Sequence, residues 1–161
     1  MFFKQKISKE EFIVLIYQLG FERYKFLKTQ LEGNLEYKDS LLFILTETLS
    51  SMLVKRIYYF QNHDLGFDIV YSVDKIVDEA FQKEEDKWNH TQYFIYLIDE
   101  LWDILKNDNS NTINILADYY INEITDGKCS DAILKQYIIQ LICNWYFETK
   151  KILKSIKIIS N

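Results

Sequence analysis

The chain contains no proline and only four glycines in 161 residues. Average usage, roughly 5% proline and 7% glycine, would place about eight and eleven. Tight turns consume these two residues, so a sheet protein rich in hairpins is excluded and a helical one is expected. Cysteine is nearly absent, with Cys129 and Cys143 alone. On one helix they would stand roughly 21 Å apart, far beyond disulfide reach, which predicts free thiols. Long apolar runs are missing too, and none approaches the roughly 20 residues that cross a bilayer. The first apolar stretch, Phe12 to Tyr17, is short and follows Glu10 and Glu11, whereas a secretory signal has a basic start and a longer apolar region. These absences predict a cytoplasmic protein with no membrane contact.

What remains is ordinary for a protein with a real core: 48% hydrophobic and 27% charged residues. The length predicts one domain over residues 1–161. Its formal charge of −5 excludes nucleic-acid binding through net positive charge.

Six helical segments follow from apolar spacing and end signals. The first begins at Ser8, which forms an S-x-x-E capping box with Glu11, and stops at Gly33. Its expected core face holds Phe12, Leu15, Ile16, Leu19, Phe26 and Leu27. The second starts near Asp39 or Ser40 and carries Leu42, Leu45, Leu49, Met52, Leu53, Tyr59 and Phe60. A break around Asn62-His63-Asp64 precedes the third, with Ile69, Val70, Val73, Ile76, Val77, Ala80 and Phe81. The fourth starts near Asn89 or Thr91 and buries Phe94, Leu97, Ile98, Leu101, Trp102 and Leu105. The fifth runs from Ile113 to Ile124 and ends at Asp126-Gly127 by a left-handed cap. Ser130 is the expected cap of the last helix, buried along Leu134, Ile138, Leu141, Ile142 and Trp145, with Cys143 as a small core residue. Connections are short, so the expected fold is an all-α bundle of about six helices, mostly antiparallel.

Charge is distributed unevenly. Residues 64–131 hold sixteen carboxylates and five lysines, while residues 132–161 hold five lysines against Glu148. Within the acidic third, Asp64 and Asp68, Asp74 and Asp78, and Asp99 and Asp103 are each four apart. On a helix such pairs share a face at a cost of a few tenths of a kcal/mol each. Repeated acceptance of that cost suggests a negative surface kept for a basic partner, whose association it would accelerate and select. Asp74, Asp78, Asp99, Glu100 and Asp103 are the candidate partner-binding residues. Adjacent aromatics, as in Tyr58-Tyr59-Phe60 and Tyr119-Tyr120, cannot all face one core, so some tyrosines are expected at the surface.

Local motifs for chemistry are scarce. Neither histidine lies three residues after a carboxylate, so the Glu-x-x-His pattern of di-metal bundles is absent, and no zinc-ligand spacing occurs. No glycine-rich phosphate loop and no G-x-S-x-G elbow exist. No metal and no cofactor is expected. One pair stands out: Arg56 and His63, with six residues between them, lie two turns apart if the helix continues. Arg56 also occupies the apolar stripe, where a charge needs a partner or a route out for its head group. This spacing resembles the Arg-x(4–6)-His motif of the HEPN superfamily, helical domains that include dimeric ribonucleases. The resemblance implies a homodimer in which Arg56 and His63 of two protomers meet at an RNA-cleaving cleft. Without that chemistry, Arg56 is expected to pair with Glu47 or Asp99, and His63 to cap the second helix.

The reading that absorbs most of these features is a non-enzymatic binding protein that neutralises a basic macromolecule through an acidic helical surface. A bacterial immunity protein or antitoxin facing a nuclease toxin is the expected setting. The HEPN-like ribonuclease is the alternative.

Overall fold

A computed structural model describes residues 3–33, 36–80, 84–107, 109–127 and 131–159, with the backbone alone for residues 84–89. Cys129, Ser130 and Phe81 lie outside the described residues. Among the described residues the expected six helices form: α1 (Lys9–Leu31), α2 (Asp39–Tyr58), α3 (His63–Glu79), α4 (Glu84–Leu105), α5 (Thr112–Thr125) and α6 (Ala132–Ser155). Two short strands flank them, β1 (Gln5–Ser8) and β2 (Ile156–Ile159). The strands pair in parallel, with Ile7 opposite Ile158 and Lys6 opposite Lys157, so the segments before α1 and after α6 meet. This pairing was not expected, because a four-residue strand is too short for its alternation to stand out from helical spacing.

The end signals explain most helix boundaries. Ser8 accepts from the Glu11 backbone and Glu11 bonds back to the Ser8 N–H, completing the capping box. At the far end of α5, Asp126 and Gly127 adopt left-handed φ values of 54° and 71°, as the Asp-Gly pair predicts. Asp131, rather than Ser130, caps α6 by accepting from Ile133 and Leu134. α4 starts at Glu84, ahead of the expected Asn89 or Thr91, because the acidic run that read as a connection also suits a helix N-terminus.

α2 is the hub. It packs against α1, α3, α4, α5 and α6, and all residues from Ile44 to Lys55 are buried. The one-sided stripe expected for it therefore gives way to a helix enclosed all round. Enclosure brings Thr46, Glu47, Thr48, Ser50, Ser51 and Lys55 inside. The threonines satisfy their hydroxyls on the preceding turn, at Leu42 O and Ile44 O. Arg23 of α1 joins three helices, donating to Ser50 Oγ on α2 and to Trp145 O and Thr149 Oγ1 on α6.

Several expected core positions lie elsewhere. Phe26 is half exposed and Phe60 is 84% exposed, since α2 ends before Phe60 can complete the stripe. Tyr59 is also exposed, Ala80 lies at the α3 end, and Leu15, Leu19, Ile76, Trp102, Ile113, Leu134, Leu141 and Cys143 are only partly buried. One hydrophobic cluster nevertheless draws on both strands and all six helices. Among the described residues, no helix is long and apolar enough to cross a membrane.

Candidate functional site

α3 and α4 carry the five acidic candidates, and the structure divides them. Asp74 points inward. His90 of α4, fully enclosed, donates from Nε2 to Asp74 Oδ1 at 2.7 Å, which ties α3 to α4. A carboxylate held this way has little left for a partner. Asp78 is half-buried, with its Oδ1 shielded from solvent.

Asp99, Glu100 and Asp103, in contrast, are exposed on α4. Glu100 and Asp103 border one groove of about 390 Å³ with Ile104, Asn107, Asn109, Thr112 and Ile115, where α4 runs into α5. Lys106 reaches back to Asp103 at 2.8 Å, an exposed pair of small energetic weight. The α4–α5 arrangement is held by Tyr93, whose hydroxyl donates to Glu123 Oε2 at 2.7 Å. Burial first, and then the carboxylate of Glu123, push the Tyr93 phenol well above its ordinary pKa and keep it a donor.

Arg56 and His63 do not share a continuous helix, because α2 ends at Tyr58 and His63 opens α3. Tyr59, not His63, is the C-terminal cap of α2. Arg56 leaves the apolar stripe by reaching the end of α4, where its Nε donates to Leu105 O at 2.9 Å. Glu47 lies in the core within the field of Arg23, and Asp99 acts on Lys55. Both motif residues still edge the same ring pair: Arg56 is 5.9 Å from the Phe60 centroid and His63 is 5.6 Å from Tyr59.

That ring pair belongs to a longer array that the charge pattern did not reveal. Tyr59 touches Phe60 at 4.9 Å and Trp102 at 5.0 Å, and His63 continues to Phe67 at 4.9 Å. Phe67 stacks on Tyr71, which meets Phe94. Lys55 sits inside the array with its ammonium 3.7 Å from the Phe67 centroid and 4.2 Å from Trp102. Desolvation lowers the Lys55 pKa, and Asp99 opposes that shift. Gly66 makes the approach possible, since a Cβ there would lie 3.2 Å from Lys55 Cα. The spacing of His63, Phe67 and Tyr71, four apart on one helix face, was the sequence signal for this array.

Among the described residues, no three His, Cys, Asp or Glu side chains gather where they could hold a metal ion. Comparison with protein families, with curated proteins and with solved structures finds no match to this chain.

Proposed function

We propose that this chain is a binding protein that neutralises a basic macromolecule, as an immunity protein or antitoxin does to a nuclease toxin. The observation that carries the reading is the exposure of Asp99, Glu100 and Asp103 together on α4, two of them on one groove. Carboxylates so placed would meet the phosphate-binding cleft of a nuclease and occlude it, while exposed tyrosines supply desolvated contact area. Asp74 contributes by fixing α4 against α3 rather than by touching the partner.

Co-expression with a basic nuclease toxin, sought among the neighbouring reading frames, tests the reading directly. The parent chain should restore growth, and Asp99→Lys/Glu100→Lys/Asp103→Lys should not, although its helical circular dichroism is unchanged. Binding should also weaken strongly between about 50 and 500 mM salt. Full protection by the triple variant would overturn the proposal.

Arg56 and His63 edging one ring pair supports a second reading, the ribonuclease. RNA cleavage by the purified chain that His63→Ala abolishes would establish it and displace the first.

A further inference from the structure

At the corner between α2 and α3, Phe60 is 84% exposed and Tyr59 is 38% exposed. A phenyl ring that open adds nothing to the core, and a polar residue would serve the fold equally well. It is also not isolated. Tyr59 and His63 are exposed beside it, and the half-buried rings of Phe67 and Trp102 continue the contacts along α3 and onto α4. Such contiguous exposed rings mark interaction sites.

The chemistry of the occupant can be read from what this surface already holds. Lys55 is enclosed between Phe67 and Trp102, and the Arg56 guanidinium lies beside Phe60. The ring faces here are therefore arranged to meet cations. On the adjoining helix α3 the charge has the complementary sign. α3 carries five carboxylates and one lysine. Asp64 is fully exposed, and Asp64 and Asp68 border one groove with Phe67 and Tyr71. Lys9 shares that groove and pairs with Asp68, while the exposed Asp64 lies 3.9 Å from His63, the ring that packs on Tyr59 at the corner.

A planar cation fits this combination better than a compact one. A guanidinium stacks flat on an aromatic ring while its edge N–H groups reach a carboxylate, and it sheds water more readily than an ammonium. We infer that the Tyr59–Phe60 corner, with Asp64, is the arginine-reading part of this surface and receives arginine side chains from the basic protein partner. The inference rests on the proposed basic-partner reading and specifies its chemistry.

Titration with an oligo-arginine peptide and an oligo-lysine peptide of equal length, followed by calorimetry, tests it. The arginine peptide should bind the parent chain at least about tenfold more tightly than the lysine peptide. Phe60→Ala should erase that preference, and Phe60→Ala/Tyr59→Ala should weaken arginine-peptide binding by about tenfold or more. Because Tyr59 packs on Trp102, the single Phe60→Ala variant keeps the test sound if the double variant misfolds. Equal affinity for the two peptides, or a Phe60→Ala variant that keeps the preference, would overturn the inference. Two further outcomes would also overturn it: a sedimenting dimer of the free chain that Phe60→Ala dissolves, or Phe60-dependent binding of single-stranded poly(U). If the aromatic variants bind normally while the α4 charge reversal abolishes protection, this inference fails and the basic-partner reading stands. The reverse pattern sinks that reading and, with it, the inference that rests on it.

Discussion

Glu47 lies within α2 at 1% exposure, and neither of its carboxyl oxygens has a hydrogen-bond partner among the described residues. Room for it comes from Gly20 of α1, where a Cβ would stand 2.8 Å from the Glu47 carboxyl carbon. Desolvation drives its pKa from 4.5 up to about 9, and the Arg23 guanidinium only partly opposes that rise. The folded chain therefore keeps Glu47 protonated between these values, while the unfolded chain has already released the proton. Over that window the native state binds more protons, so stability from this group falls as pH rises and is level on either side. Glu47→Gln removes the titration. It should raise stability at pH 8 by about 2–4 kcal/mol relative to the parent, and by much less at pH 5. Urea denaturation of both chains at the two pH values checks this; a pH-independent difference would show that the carboxyl ionises within the fold. Lys55 is the opposite kind of buried charge, since two ring faces replace part of its lost hydration.

At the level of elements, α3 packs extensively on α2, and Gly66 lets its backbone lie against Lys55 there. Alanine there would gain about 1 kcal/mol of helix propensity. Its Cβ, however, would press on the Lys55 backbone at 3.2 Å, which a rigid helix can relieve only by moving away. Overpacking of this kind costs about 1–3 kcal/mol, so Gly66→Ala should destabilise on balance. Thermal melting should show a lower midpoint, together with altered Trp102 fluorescence as the Lys55 sandwich opens. Helix positions were legible where a local signal acts alone, as at Ser8 with Glu11 and at Asp126-Gly127. They were not legible where tertiary enclosure decides. α2 reads as one-sided because its Thr and Ser residues look like a solvated face, yet five neighbouring helices cover it. Likewise, Arg56 and His63 read as one helical face only if α2 continues past Tyr58, and the turn at Tyr59–Asn62 breaks that assumption. The acidic candidates separated for a similar reason: the sequence gives the charge of Asp74, but not the buried His90 that claims it.

For the molecule as a whole, the charge imbalance between segments has a consequence of its own. α3 and α4 together hold eleven carboxylates against two lysines. Among the described residues, the lysine pairs Lys9–Asp68 and Lys106–Asp103 offset two of these, and pairs this exposed contribute about 0–1 kcal/mol each. The like-charge neighbours at four-residue spacing cost a few tenths of a kcal/mol each, and longer-range repulsion across the two helices adds to that. Repulsion among many carboxylates outweighs a few pairs, and added salt screens both. Sodium chloride should therefore stabilise this protein, in contrast to a chain held by surface ion pairs. Raising it from about 10 mM to about 500 mM shortens the Debye length from about 30 Å to a few ångströms. Relief of about 1 kcal/mol corresponds to a rise in Tm of about 2–4 °C for a chain of this size. Scanning calorimetry along a chloride series checks it, and Asp99→Lys/Glu100→Lys/Asp103→Lys should flatten the dependence. A midpoint that falls with salt would mean that exposed ion pairs govern the surface. In that case the carboxylates of α4 would already be matched within the chain, and the electrostatic basis for a basic partner would be lost.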